Sequence, residues 1–191
     1  ELLSLLSDFN EVVNLAATKP FGFMKFEPGP GIGGHCIPVD PFYLTWKAKE
    51  YNIHTRFIEI AGEINNFMPQ WIFQKINNHL FKINLFIKKM NFLFLGASYK
   101  KNIADIRESP SLKFFQLFNQ NGLKFDYHDP FVDKIMLKIN SKHKIIKSVK
   151  INKNNLKKYD CVILLTDHEN VNYKLIKKYS KKIFDSRSVF K

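Results

Sequence analysis

One thiol stands at the end of the most glycine-rich stretch of this chain. Residues 27–40 read Glu-Pro-Gly-Pro-Gly-Ile-Gly-Gly-His-Cys-Ile-Pro-Val-Asp. Gly29, Gly31, Gly33 and Gly34 thus precede Cys36, and Asp40 follows. Glycines allow positive φ and let backbone amides approach a ligand closely. A cysteine beside such amides can attack a carbonyl while nearby N–H groups receive the developing negative charge. The alternative is a tight structural turn followed by an ordinary half-buried cysteine.

Other reactive residues form no comparable pattern. Cys161 lies inside an apolar run and reads as buried and inert. Two cysteines suit neither a disulfide scaffold nor a zinc spacing, and imply a reducing, cytoplasmic setting. The six histidines are dispersed, so no metal is expected. His35 adjoins Cys36, but neighbouring side chains point apart and no orienting partner is visible, which argues against a Cys-His protease pair.

The elements that must hold the thiol follow from periodicity. Leu2, Leu5, Leu6, Phe9, Val12, Val13 and Ala16 recur at helical spacing, predicting a helix that ends near Lys19-Pro20. After the Gly/Pro loop, Asp40-Pro41 offers an N-cap and a first-turn proline for a helix to about Tyr51. That placement sets Cys36 close to a helix N-terminus, where the dipole favours a thiolate. A second helical stretch, about Thr55 to Lys82, is expected to break near Met68-Pro69. From residue 90 short apolar runs alternate with helical ones. Strands are expected at Met90–Leu95, Leu123–Tyr127, Lys144–Val149, Tyr159–Thr166 and Lys182–Asp185. Helices are expected at Ser111–Asn121, Tyr173–Tyr179 and, weakly, Phe131–Lys138. This alternation predicts an α/β fold, a Rossmann-like parallel sheet with helices on both faces. Ligands of such sheets bind beyond the strands' carboxyl ends. Those ends carry Gly96-Ala-Ser-Tyr-Lys-Lys, His128-Asp129-Pro130, Thr166-Asp167-His168 and Asp185-Ser-Arg187. Gly96 lacks the further glycines of a dinucleotide fingerprint.

Composition sets outer bounds. The 191 residues, 45% hydrophobic and 25% charged, suit a globular chain, and no apolar run approaches a membrane span. Net charge is +13. The lysines are scattered among Asn, Ile and Phe, which favours general compositional bias over a nucleic-acid-binding stripe.

Several segments resemble the UDP-sugar 6-dehydrogenases, especially those acting on UDP-N-acetylglucosamine and UDP-N-acetylmannosamine. They are Ala17-Thr-Lys-Pro-Phe-Gly-Phe-Met24, Pro28 to Asp40, Pro41-Phe-Tyr-Leu-Thr-Trp-Lys-Ala48, Ala61-Gly-Glu-Ile-Asn65, Gly96 to Pro110, Tyr127-His-Asp-Pro130 and Phe184-Asp-Ser-Arg187. The resemblance implies a central helical, dimer-forming region over residues 1–89 that carries the nucleophile loop, and a UDP-sugar-binding domain over residues 90–191. The family's N-terminal NAD-binding domain has no counterpart here, and the chain is expected to begin inside the central region.

The implied chemistry is a double oxidation of a sugar C6 alcohol to a carboxylate with NAD. Cys36 would be the nucleophile that forms a thioester, and Asp40, at the place of an aspartate that positions water, the second catalytic residue. Asp40 as a helix cap only is the alternative. Phe26, Pro28, Gly29, Gly31 and Gly33 match the segment that cradles the sugar and pyrophosphate. Tyr99, Lys100 and Arg187 match further substrate contacts, and Arg107 matches an arginine that reaches NAD. A plain surface lysine is the alternative for Lys100, and an ion pair with Asp105 or Glu108 the alternative for Arg107. The family's catalytic lysine, asparagine and glutamates fall upstream of Glu1. An arginine that some members place sixteen positions before the cysteine is Pro20 here. The partners implied are a UDP-N-acetyl-hexosamine, a second copy in a homodimer and a separate NAD-binding polypeptide, with neither nucleic acid nor membrane. An inactive UDP-sugar-binding remnant is the other reading.

Overall fold

Four of the five apolar runs expected as strands after residue 90 pair into a parallel sheet, whereas the run expected at Lys144–Val149 joins an antiparallel hairpin with the segment just before it. The computed structural model of the protein describes residues 9–139 and 142–190. In chain order the elements are α1 (Phe9–Ala16), α2 (Asp40–Glu50), α3 (Arg56–Lys82), β1 (Asn91–Leu95), α4 (Pro110–Gln120), β2 (Lys124–His128), β3 (Lys134–Ile139), β4 (Lys142–Lys147), α5 (Lys153–Leu156), β5 (Cys161–Leu164), α6 (Tyr173–Tyr179) and β6 (Ile183–Asp185). The parallel sheet has the order β2-β1-β5-β6, with Phe92 opposite Phe125 on one side and Cys161 on the other. β3 and β4 form a separate antiparallel hairpin.

Successive side chains of a strand point to opposite faces, and this sheet buries both. Phe92 and Phe94 face Phe114, Phe115 and Phe118 of α4 and Ile72, Ile76 and Leu80 of α3. Leu93 and Leu95 face Leu156, Val162, Leu164 and Ile176. The chain leaves β1 for β2 in one direction and later places β5 on the other side. Such a reversal opens a crevice at the carboxyl ends of β1 and β5.

Three local expectations need correction. α3 runs unbroken through Pro69. A proline inside a helix costs about 3 kcal/mol. Pro69, Ile72, Ile76 and Leu80 are all buried, and each large apolar side chain contributes roughly 1.5–3 kcal/mol on burial, so packing wins. The segment expected as a helix over Phe131–Lys138 is instead strand β3. Ile135 and Leu137 are buried while Met136 between them is 62% exposed, the alternation of a half-buried strand. Finally, Asp40 is not the cap of α2: the N-cap is Val39, without a side-chain hydrogen bond, and Asp40 is an acidic residue of the first turn. The first part of the expected N-terminal helix, with Leu2, Leu5 and Leu6, lies outside the described residues.

Candidate active site

The glycine loop lies over the carboxyl edge of the sheet because three of its glycines leave room for side chains there. A β-carbon on Gly33 would stand 2.6 Å from Tyr99 Cβ and 2.8 Å from the Glu108 carbonyl oxygen. Real β-carbons do not pack that closely onto backbone, so only glycine permits this approach. On Gly29 a β-carbon would stand 2.6 Å from Arg187 Nη1. Gly31 lies against Pro110 and the Asn65 carbonyl, the group that loses its helical donor because Pro69 has no N–H. A hydrogen bond completes the contact, with Gly34 N–H donating to the Arg107 carbonyl at 3.0 Å.

Cys36 follows this docked segment. Its carbonyl accepts from Val39 N–H at 3.0 Å and Asp40 N–H at 2.8 Å, which folds the chain into the start of α2. The thiol is exposed and free. Asp40 is exposed one helical turn further on. Proline rings at positions 38 and 41 stiffen the turn.

Arg187 is held in place and three-quarters covered. Its Nε donates to the Leu165 carbonyl at 2.9 Å, its N–H to Asp185 Oδ1 at 2.9 Å, and Asp167 lies 4.0 Å away. Burial lowers the guanidinium pKa from its usual value, opposed by Asp167 and Glu27. A fixed, partly desolvated guanidinium beside a glycine-rich loop suits a bidentate phosphate or carbonyl contact. Arg107, by contrast, is 63% exposed and grips Asp105, with Nε 2.9 Å from Oδ2 and 3.0 Å from Oδ1. The side-chain hydrogen bonds from Arg107, joined by its backbone N–H, hold the Asp105 carboxyl down at about 2.

Beneath the loop lies a buried polar network. Asp129 is 2% exposed and His168 fully buried. Asp129 Oδ2 accepts from Ala97 N–H at 2.7 Å, from Ser98 N–H and from Ser98 Oγ–H, while Oδ1 accepts from Phe131 and Val132 N–H. His168 Nδ1 accepts from Asn102 N–H at 2.9 Å. The ring proton therefore belongs on Nε2, which stands 3.0 Å from both Asp129 Oδ2 and Ser98 Oγ. Burial works against the Asp129 carboxylate, but the hydrogen bonds from His168 and from Ala97, Phe131 and Ser98 N–H outweigh it and hold the carboxyl far below the usual range. Despite its Ser, His and Asp members this is no hydrolytic triad. Serine and carboxylate share one ring nitrogen, and nothing in it reaches solvent.

The structure thus brings together Gly29, Gly31, Gly33, Tyr99 and Arg187, with Arg107 at the rim. Phe26 is 72% exposed, and Pro28 and Lys100 are also exposed. Cys161 is 4% exposed, and burial pushes its thiol up to about 12. The sequence singles out His128-Asp129-Pro130 and Thr166-Asp167-His168 but not the partnership of Asp129 with His168, because the two residues belong to different strand ends. An apolar cavity of about 330 Å³ lies on the other side of the loop, between Ile32, Ile37 and Phe42 and the α3 residues Phe57 and Ala61. No helix among the described residues is long and apolar enough to cross a membrane.

Comparison with known proteins matches this arrangement. The profile of the UDP-glucose/GDP-mannose dehydrogenase family, UDP binding domain, matches residues 93–191, and that of the same family's central domain matches residues 4–67. A UDP-N-acetyl-D-mannosamine dehydrogenase of Methanococcus maripaludis strain C7 is 31% identical over 172 residues, 85% of this chain and 36% of that protein. A UDP-N-acetyl-D-glucosamine 6-dehydrogenase of Pseudomonas aeruginosa is 30% identical over 125 residues, 65% of this chain and 29% of that protein. The solved UDP-D-ManNAc dehydrogenase of Pyrococcus horikoshii superposes with a TM-score of 0.76 at 29% identity, over 95% of this chain and 41% of its own. The chain spans between 29% and 41% of the length of these relatives.

Proposed function

The chain belongs to the UDP-glucose/GDP-mannose dehydrogenase family, and from that premise we propose that it carries the central and UDP-binding parts of an NAD-dependent UDP-N-acetyl-hexosamine 6-dehydrogenase. The observation that supports this reading is the docking of the Cys36 loop onto Tyr99 and Arg187 through Gly33 and Gly29. The loop that carries the free thiol thereby meets a largely covered guanidinium through Gly29 and the Tyr99 side chain through Gly33, at the crevice of a parallel sheet, where a nucleotide belongs.

In this reading Arg187 and the backbone N–H groups of Gly29, Gly31 and Gly33 hold the UDP moiety, and Tyr99 flanks the sugar. Cys36 attacks the C6 aldehyde and forms a carbon–sulfur bond, giving a thiohemiacetal. Loss of hydride from that carbon gives the thioester. Water, directed by Asp40, then cleaves the carbon–sulfur bond to release the carboxylate and restore the thiol. NAD, when bound, accepts the hydride in each of the two oxidations. No glycine phosphate cradle for it occurs among residues 90–139. Arg107, exposed at the rim, fits contact with a cofactor presented from outside this chain. A separate NAD-binding polypeptide, or residues beyond these 191, would present it. Association into a homodimer is supported by α3, whose Phe57 is 92% exposed and whose Ile60, Ile64 and Phe67 are each more than half exposed.

The test is NADH formation from UDP-N-acetylglucosamine and UDP-N-acetylmannosamine, first with the chain alone and then with an NAD-binding half of the family added. Turnover on addition supports the proposal. UDP binding without turnover in either case favours an inactive UDP-sugar-binding remnant, and failure to bind UDP refutes both.

A further inference from the structure

Residues 98–108 form a lobe between β1 and α4 that carries Tyr99 and Arg107. Its base is closed twice. Ser109 Oγ donates to the Ala97 carbonyl at 2.7 Å, and Asp129 gathers the N–H groups of Ala97 and Ser98. Inside the lobe Tyr99 N–H donates to the Asp105 carbonyl at 3.0 Å. The Arg107 carbonyl receives Gly34 N–H, so the nucleophile loop rests on this lobe.

The tip is pinned separately. Asn102 has φ of 62°, a left-handed conformation that asparagine tolerates. Its N–H donates to His168 Nδ1, and its Oδ1 accepts from Glu169 N–H at 3.0 Å. The ring that receives the tip is itself fixed. Nε2 is held by Asp129 and Ser98, and Phe131 packs on the ring with centroids 5.2 Å apart. One imidazole therefore joins the base of the lobe to its tip, with each ring nitrogen serving a different end.

We infer that His168 is a positioning residue: through Asn102 it fixes the lobe that places Tyr99 against Gly33, and so sets the geometry of the nucleotide-sugar site without touching the ligand. The ligand part of this inference rests on the reading of that site given above; the fixing of the lobe does not. A histidine serves here because it offers an acceptor at Nδ1 and a donor at Nε2 within one rigid ring. Asparagine can mimic the first nitrogen and glutamine the second.

The test uses the 191-residue chain, UDP as probe, calorimetric binding, and hydrogen exchange over residues 31–36 and 98–109. His168→Gln keeps a donor for Asp129 and loses the acceptor for Asn102. Exchange over both segments should rise about tenfold while the strands stay protected, since local opening is independent of global unfolding. UDP binding should weaken about tenfold, or about one decade in Kd. His168→Asn keeps the Nδ1-like acceptor and should return both readings toward wild type. Unchanged exchange in His168→Gln, or equal losses in the two variants, overturns the inference. Wild-type protein that fails to bind UDP, together with faster exchange in His168→Gln, overturns the functional reading and leaves the positioning role standing. Where His168→Gln does not fold, His168→Asn decides: it keeps the acceptor for the Asn102 N–H, and exchange over 98–109 must stay near the wild-type rate, faster exchange overturning the inference.

Discussion

Arg187 lies so close to Gly29 that a β-carbon on the glycine would stand 2.6 Å from Nη1 and 3.1 Å from Cζ. The arginine cannot simply swing away, because its Nε donates to the Leu165 carbonyl and only 22% of the side chain is exposed. The glycine is therefore matched to one particular guanidinium across most of the chain.

Gly29→Ala should weaken UDP binding about tenfold and cost about 1–2 kcal/mol of stability, the range for mild overpacking. Arg187→Lys should weaken UDP similarly, because lysine lacks the planar fork, and cost about 1–2 kcal/mol, because the Leu165 carbonyl loses its Nε donor. Calorimetric titration with UDP and thermal unfolding of both variants check this. Undiminished UDP affinity in Gly29→Ala would remove the contact from the site.

Iodoacetamide should modify Cys36 and spare Cys161. The first thiol is exposed; the second is buried, with its pKa raised to about 12, and the thiolate is the reactive form. Peptide mapping after a single equivalent of label is the measurement. In the complemented enzyme, Cys36→Ser should abolish acid formation and spare UDP binding. Acid production at the wild-type rate would rule out a thioester through this residue.

Stability should fall as pH drops below about 4, the ordinary carboxylate range. Asp129 is held far lower in the folded protein. A depressed folded pKa contributes stability above the unfolded value and loses it as pH falls through the folded one. Asp105, although held at about 2, should add little, because its partner Arg107 is exposed and solvent screens such a pair. Urea midpoints between neutral pH and pH 3 should therefore decline for the wild type, while Asp129→Asn removes most of the dependence. At neutral pH that variant should be less stable by about 3–5 kcal/mol, since an amide nitrogen would then face the N–H groups of Ala97 and Ser98.

The hairpin assignment has its own test. Ile135→Ala should cost about 2–4 kcal/mol, whereas Met136→Ala, on the exposed face, should stay within about 0.5 kcal/mol. Equal costs would contradict a strand there. Chemical denaturation of the two variants is sufficient.

Much of this protein is local and could be read from residue order. The runs Phe92–Leu95 and Val162–Leu164 are strands because continuous apolar stretches bounded by turn residues bury both faces of a sheet. Cys36 follows four glycines in the sequence itself, and Asp40-Pro41 marks a helix start within one residue. The helix expected over Phe131–Lys138 was the local misreading, because the period-two alternation of Ile135, Leu137 and their lysine neighbours outweighs it.

Tertiary structure decided what depends on partners distant in sequence. Pro69 should have ended α3, yet burial of Ile72, Ile76 and Leu80 against the sheet outweighs one lost hydrogen bond. Asp40 left its cap role to Val39 because the Cys36 carbonyl takes the Asp40 N–H, a bond that exists only once the loop has closed. The meeting of Gly29 with Arg187, and of His168 with Asn102 and Asp129, is set by strand order. Only the folded sheet brings the ends of β1, β2, β5 and β6 to one edge, and no local propensity encodes which ends those are.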